Sequence, residues 1–282
     1  MEAFDTLVAT FIRNSRVCLP VEQIIDVKVN AIAEYFNQHS LSSVVVGVSG
    51  GVDSATVLAL FVAVSRSGLL KQPLKIYAVN ITYAMYGDVY DGKYYKDLKR
   101  AFTCDEVTWI KRDLSSVDQL LWSHTDLNVA PNPHDVQANV SYALRYTVLF
   151  SIAQQVGGIT CGTTNFDEFG YIGWFGKNSD MVVDIQVLTD LHKFQVLDVA
   201  FTLGVPQSII DRAPTGDLIS GLTDEQAFGV TYDQLSWYTD VMTAGDPDFV
   251  PTEVRKLFAG VDKLHERNSH KYQGQTFNPV ML

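Results

Sequence analysis

Ile25, Val29, Ile32 and Phe36 recur at steps of four, three and four, so they share one face of an amphipathic helix beginning after Pro20. The run Ser43-Val-Val-Val-Gly-Val48 is different: short, continuous and β-branched, it reads as a strand covered on both faces of a parallel sheet. A glycine turn, Ser49-Gly-Gly-Val-Asp-Ser54, leads into a helical stretch from Ala55 to Ser65 that Gly68 ends. The alternation continues through a strand at Leu74 to Ile81, a helix at Lys93 to Phe102, a strand at Glu106 to Ile110 and a helix at Ser115 to Trp122. A long helix from Val136 to Gln155 then precedes a strand from Ile159 to Gly162. Strands alternating with helices predict βαβ units, hence an α/β fold with a doubly wound parallel sheet and flanking helices. Tyr83 to Gly92, Ser123 to His134, Pro214 to Gly229 and Gly245 to Thr252 are rich in Gly, Pro, Asp and Asn and read as loops rather than linkers. Without an internal repeat, the pattern predicts one domain over residues 1–282 with helical N- and C-terminal segments.

Composition sets bounds on this picture. Hydrophobic residues make up 47% and charged residues 19%, which supplies a sizeable core and excludes a disordered or collagen-like chain. The balance of 21 Lys and Arg against 32 Asp and Glu gives −11, a mean field that disfavours nucleic acid and anionic lipid as partners. A nucleotide is still admitted, because a helix N-terminus or a few local cations override the mean field. Cys18, Cys104 and Cys161 are far apart and lack a C-x-x-C spacing, so a reducing, cytoplasmic setting is expected rather than a disulfide framework or a zinc knuckle. Met1 to Arg16 lacks the features of a signal peptide, and the longest apolar stretch, Ala55 to Val64, falls well short of the ~20 residues that span a bilayer. A soluble protein is expected.

A glycine-rich turn between a buried strand and a helix aims consecutive backbone N–H groups and the positive helix end into one pocket, where phosphate oxygens are stabilised. Ser49, Gly50, Gly51 and Ser54 fit that role: the glycines permit close approach and the serines carry hydroxyl donors. The sequence is neither G-x-x-x-x-G-K-[ST] nor G-x-G-x-x-G, which excludes the P-loop and the dinucleotide fingerprint here. Two glycines alone would be explained by the tight connection; Ser-Gly-Gly-x-Asp-Ser after a buried strand is far more specific.

Ser49-Gly-Gly-Val-Asp-Ser54 resembles the signature of the ATP pyrophosphatases, which cleave ATP between its α and β phosphates. A second block, Gly162-Thr-Thr-Asn-Phe-Asp-Glu168, Gly173-Trp-Phe-Gly-Lys177, Asp180, Asp184 and Lys193, resembles the core of ammonia-dependent NAD synthetases in order and near-identical spacing. Ala213-Pro-Thr-Gly-Asp-Leu218, Gly229-Val-Thr-Tyr-Asp-Gln-Leu235 and His270-Lys271 agree. The resemblance covers nearly the whole chain and implies the adenine-nucleotide alpha-hydrolase, or ATP pyrophosphatase, type of fold. It implies ATP at Gly47, Val48, Ser49, Gly50, Gly51, Val52, Asp53, Ser54, Thr163, Lys193 and Thr215, Mg²⁺ at Asp53 and Glu168, and the pyridine nucleotide at Arg145, Lys177, Asp184, His270 and Lys271. Hard carboxylate oxygens suit Mg²⁺, and Lys193 supplies charge where pyrophosphate leaves. Taken singly, each of these Asp, Glu and Lys residues would be read as a solvated surface side chain.

The reaction so implied starts with attack of a nicotinate carboxylate on the α-phosphorus of ATP; ammonia then displaces AMP from the acyl-adenylate. The acceptor expected is nicotinate adenine dinucleotide (deamido-NAD), with nicotinate mononucleotide, or a non-catalytic nucleotide-binding homologue, as alternatives. Asp180 or Asp184 is placed to hold or deprotonate ammonium, and the residues do not separate that role from substrate binding. Two positions depart from the family pattern: Ala143, in Asn139-Val-Ser-Tyr-Ala-Leu-Arg-Tyr146, and Asn80, each where the family usually has an arginine, with Lys93, Lys96 and Arg145 nearby to compensate. The chain leaves no room for a glutaminase domain, so free ammonia or a separate partner is the expected nitrogen source, and the family resemblance implies a homodimer. His265 and His270 lack further ligands at zinc spacing, and Tyr77, Tyr83, Tyr86, Tyr90, Tyr94 and Tyr95 are a weaker candidate for an aromatic platform.

Overall fold

Val44, Val45 and Val46 are all fully buried, yet they belong to two different clusters, and that division organises the molecule. The computed structural model describes residues 19–83, 92–129, 133–215, 222–244 and 250–272. Within them α1 (Val21–Gln38) precedes β1 (Ser43–Gly47), α2 (Val52–Arg66), β2 (Lys75–Thr82), α3 (Lys93–Ala101) and β3 (Val107–Asp113). Helices α4 (Ser115–Thr125) and α5 (Pro133–Val156) lead to β4 (Ile159–Gly162), a π turn at Glu168–Ile172, and β5 (Ile185–Gln186). Then follow α6 (Lys193–Thr202), α7 (Gln207–Ile210), α8 (Asp224–Phe228), α9 (Tyr232–Ala244), α10 (Thr252–Leu257) and α11 (Ala259–Asn268), with a 3₁₀ turn at Ser269–Lys271.

Because successive side chains of a strand point to opposite faces, Val44 and Val46 pack with α1, α2 and α6, whereas Val45 packs with Leu149, Ile152 and Ala153 of α5. Helices therefore cover both faces of the sheet, as the unbroken apolar run requires. The five strands lie in the order β3-β2-β1-β4-β5 and every pairing is parallel. Helix α2 is nearly as buried as β1: Ala55, Val57, Leu58, Leu60, Phe61 and Val64 are all fully enclosed, and Phe61 meets Phe36 of α1 edge to face at 5.8 Å. In α1 Ile24, Val29, Ile32, Ala33 and Phe36 are buried, while Ile25 sits at the margin of the same cluster.

A second apolar cluster joins the π turn to the C-terminal helices through Tyr171, Ile172, Phe228, Tyr232, Leu235, Tyr238, Phe258 and Val261. It stands over the carboxyl end of β4 and supplies the far wall of the site. Two of the expected loops are shorter than the sequence suggests. Helix α4 runs through Thr125, and α5 starts at Pro133, where proline's fixed φ suits a first helical turn. Pro214 to Gly229 contains α8, started by a capping box between Thr223 and Gln226. Strand β5, only two residues long, was not expected from the pattern. The expected N-terminal segment before residue 19, most of the loop after Tyr83 and most of Gly245 to Thr252 lie outside the described residues. No helix among the described residues is long and apolar enough to cross a membrane.

Candidate active site

From β1 the chain crosses to β2 on one side, and from β4 to β5 on the other, so their connections diverge and open a crevice at the carboxyl ends of these two neighbours. A cavity of about 740 Å³ lies there, lined by Ser49 and by Gly51 to Ser54 on one side and by Thr163, Glu168 and Lys193 on the other. The C-terminal helices close it with Asp224, Arg267, Asn268 and Lys271.

The glycine turn is held open by its own hydrogen bonds. Gly50 has φ +82°, and a Cβ there would lie 3.1 Å from Cβ of Tyr94. The Gly51 N–H donates to Ser49 Oγ (3.3 Å), the Ser49 N–H to Ser54 Oγ (3.3 Å), and Ser54 Oγ to the Gly51 carbonyl (3.0 Å). Helix α2 begins at Val52, so Val52, Asp53 and Ser54 form its first turn and the helix N-terminus faces the cavity. Behind the turn Asn80 is fully buried; its Nδ2 donates to the Val48 carbonyl at 2.9 Å and its Oδ1 has no partner among the described residues. Asn80 thus supports the chain entering the turn and does not line the cavity.

Asp53, Asn165, Glu168 and Lys193 form one connected group. Lys193 Nζ lies 2.5 Å from Asp53 Oδ2, and Asn165 Nδ2 donates to Asp53 Oδ1 at 3.1 Å. Asn165 also caps the turn that carries Glu168: its Oδ1 accepts from the Glu168 N–H (3.1 Å), and Glu168 Oε2 accepts from the Asn165 N–H (3.3 Å). One buried amide therefore sets the two carboxylates relative to each other. Tyr232 Oη donates to Asp224 Oδ2 at 3.1 Å and reaches Glu168 Oε1 at 3.4 Å. Burial, with Asp53 and Asp224 close by, pushes the Glu168 carboxyl well up from its ordinary value, against the pull of Lys193. For Lys193 burial acts downward, but Asp53 and Glu168 outweigh it and the ammonium is held charged. No trio of His, Cys, Asp or Glu side chains among the described residues converges to cage a metal. The two carboxylates do fit Mg²⁺: they are hard donors in a cluster strained by like charge, and phosphate oxygens and waters ordinarily complete its shell.

Asp167, beside Glu168, accepts from His192 Nδ1 (2.5 Å), the Lys193 N–H (2.7 Å) and Ser236 Oγ (2.9 Å). His192 Nε2 faces Asp240 Oδ1 at 3.2 Å, and the ring is fully buried between Phe166 and Phe194. This hub fastens the side of the crevice that carries Glu168 and Lys193 to α9.

The remaining expected residues divide. Thr163, Thr215, Arg145, Asp180 and Lys271 line the cavity with the turn and the carboxylates. Asp180 is oriented by the Gly176 N–H (2.8 Å), Ser179 Oγ (3.1 Å) and Tyr146 Oη (3.0 Å). Arg145 lies over the Tyr142 and Tyr83 rings at 4.7 and 5.2 Å, and Lys271 Nζ donates to the Gly173 and Phe175 carbonyls at 2.9 and 2.6 Å. Gly47 and Val48 lie behind the turn. Asp184 is brought elsewhere: its Oδ2 accepts from the Thr160 N–H and Oγ1, both at 2.7 Å, outside the cavity. Lys177, half-buried, and His270, exposed, do not line it, and neither does Ala143, whose helix turns Asn139, Tyr142 and Arg145 inward instead. The tyrosines form no common platform: Tyr83 is buried with its hydroxyl on the Ser141 carbonyl, Tyr95 meets Trp109, and Tyr86 and Tyr90 lie outside the described residues. His265 stacks on Tyr171 at 4.1 Å, a packing role.

Asn165, Asp224, His192 and Arg212 are functional neighbours that the motifs do not single out. Thr223-Asp-Glu-Gln226 carries a readable helix-start signal. The bond from Asn165 to Asp53 and the contacts of His192 with Asp167 and Asp240 and of Arg212 with Gly50 are tertiary, whereas Asn165 and Glu168, three apart, cap each other locally. Replacing His192 with Ala removes a fully buried ring that hydrogen-bonds Asp167 and Asp240, so stability should fall by about 1–3 kcal/mol, the cost of leaving a buried polar group short of a partner. Urea unfolding checks this; a loss below about 1 kcal/mol would remove the hub from the account.

Comparison with known proteins places this geometry in context. The NAD synthase family model matches residues 24–274. The NH(3)-dependent NAD(+) synthetase of Mesoplasma florum is 31% identical over 256 residues, spanning 91% of this chain and 96% of that protein. Its counterpart in Pyrococcus furiosus is 32% identical over 249 residues, 86% and 90% of the two chains. Among solved structures, an NMN synthetase from Francisella tularensis superposes with a TM-score of 0.75 at 23% identity, covering 93% of this chain and all of its own. An NAD+ synthetase from Burkholderia pseudomallei gives 0.67 at 21%, with 90% of each chain covered. Likeness at such identities shows the shared α/β fold; the family-model match and the relatives above 30% identity show more, that the chain belongs to the NAD synthase family.

Proposed function

We propose that the protein is an ATP-dependent amide ligase that adenylates the nicotinate carboxylate of deamido-NAD and transfers ammonia to it, giving NAD, AMP and pyrophosphate. The observation that carries this reading is the Asp53, Asn165, Glu168 and Lys193 group beside a glycine turn at the β1/β4 switch point. Relatives that are NH(3)-dependent NAD(+) synthetases along nearly their whole length support it.

A carboxylate accepts an amine poorly because oxide would have to leave. In the first step a carboxylate oxygen bonds to the α-phosphorus as the bridge to the β-phosphate breaks; in the second, ammonia bonds to the acyl carbon, AMP leaves and the nitrogen gives up a proton. The N–H groups of the Ser49–Ser54 turn and the α2 N-terminus hold the phosphates, with the Thr163 and Thr215 hydroxyls as neutral donors. Lys193, kept charged by its carboxylate neighbours, balances charge on the departing pyrophosphate. Asp53 and Glu168 would hold Mg²⁺, whose chemistry is to neutralise phosphate charge. Arg145 and Lys271 attract the anionic acceptor, and Asp180, fixed by three donors inside the cavity, is the better-placed carboxylate for receiving ammonium. A homodimer and a reducing cytoplasm belong to the same reading. Leu120 and Leu121 of α4 and Phe150 of α5 are exposed apolar side chains available to a second copy, and Cys104 and Cys161 are free thiols.

Deamido-NAD, nicotinate mononucleotide and aspartate would each be offered with ATP, Mg²⁺ and ammonium or glutamine, and AMP release followed. Ammonium with deamido-NAD should support turnover and glutamine alone should not; preference for another acceptor would overturn the assignment. Asp53→Asn, which changes charge but hardly volume, should cut AMP release at least a hundredfold while the thermal transition persists. Near-normal activity would take Asp53 out of the site.

A further inference from the structure

We infer that Arg212 is a catalytic residue of this site, a guanidinium that stabilises the charge growing on the β and γ phosphates of ATP as they leave as pyrophosphate. The inference rests on the amide-ligase reading and adds a residue to it. Arg212 follows the short helix α7 and reaches the glycine turn at Gly50. Its Nη1 donates to the Gly50 carbonyl at 3.3 Å, and its guanidinium lies 4.8 Å above the Tyr94 ring. Both Arg212 and the next three residues, Ala213, Pro214 and Thr215, line the cavity.

The charge around the turn shows what this cation is for. The turn has no lysine of its own. Lys193 is closely paired with Asp53, and Asp53, Glu168 and Asp224 all face the same space, so carboxylates exceed cations on that wall. Asn80, buried behind Val48, brings no charge to it. Lys271 donates to two carbonyls on the far wall. ATP arrives with several negative charges, and breaking the α–β bridge places further charge on the β-phosphate oxygen. A cation next to Gly50 meets that charge where it grows. Arginine suits this position because a guanidinium has five N–H donors, and the contact with Gly50 uses one, leaving a planar fork for phosphate oxygens. The Tyr94 face holds that plane, and burial pulls the guanidinium down from its ordinary value, with Tyr94 acting the other way.

The alternative is a purely structural role, tying the loop after α7 to the Gly50 carbonyl. Arg212→Gln separates the two, since it keeps an N–H donor for that carbonyl and loses the charge; Arg212→Lys keeps the charge and loses the fork. We expect Arg212→Gln to lower kcat about a hundredfold with the KM for ATP changed less than about fivefold, and to weaken inhibition by Mg²⁺-pyrophosphate at least tenfold. Arg212→Lys should stay within about tenfold of the parent, and both should melt within about 2 °C of it. Pyrophosphate affinity is also measured by titration calorimetry, independently of any acceptor. If the parent protein forms no AMP from any acceptor, the amide-ligase reading fails, while the calorimetric comparison still judges Arg212. Equal pyrophosphate affinity in the parent and Arg212→Gln, or a kcat for Arg212→Gln within threefold of the parent, overturns the inference.

Discussion

The contact between Asp53 and Lys193 is the interaction on which the rest of the site depends. The two residues are 140 positions apart and stand at the first turns of α2 and α6. Both helices start from the carboxyl-end edge of the sheet, and the sheet order brings them to opposite sides of the crevice. A lysine with a side chain only 4% exposed is tolerable because a carboxylate meets it. The packing that builds the crevice therefore also brings its charged groups together.

Around that pair the polar network is unevenly satisfied, and the unevenness has a functional sense. Asp167 has three donors and Asp180 three, so each is firmly placed. Glu168, by contrast, is crowded by Asp53 and Asp224, with one backbone donor and a long contact to Tyr232. A group held in place by its neighbours yet short of cationic charge is prepared for a divalent ion and a phosphate chain. The hub of Asp167, His192, Ser236 and Asp240 supplies the rigidity that such a strained group needs, because it anchors Glu168 and Lys193 to the same helix, α9.

Much of this was legible in the sequence because it is local. The apolar run ending at Gly47, the turn to Ser54 and the alternation of strands with helices each carry a short-range signature, and the residues that met in the cavity came chiefly from those blocks. Legibility ended where a role depends on neighbours distant in the chain. Asn165 stands three residues before Glu168, a local capping arrangement, but its bond to Asp53 exists only in the fold, and Arg212 reads as a surface cation until it lies over Gly50. Asp184 illustrates the reverse: it falls within the family-like block, yet β4 offers it the Thr160 N–H and hydroxyl outside the cavity. Ala143 does not line the cavity, where α5 contributes Asn139, Tyr142 and Arg145.

Everything in this arrangement serves one chemical event, transfer of a carboxylate oxygen to the α-phosphorus of ATP. That event leaves a direct trace in the products. With the nicotinate carboxylate of deamido-NAD labelled with oxygen-18, a single turnover in ammonium should deliver one labelled oxygen to AMP, read as a mass shift of its phosphate. Unlabelled AMP, or label found in pyrophosphate or inorganic phosphate, would contradict adenylation at the switch point between β1 and β4.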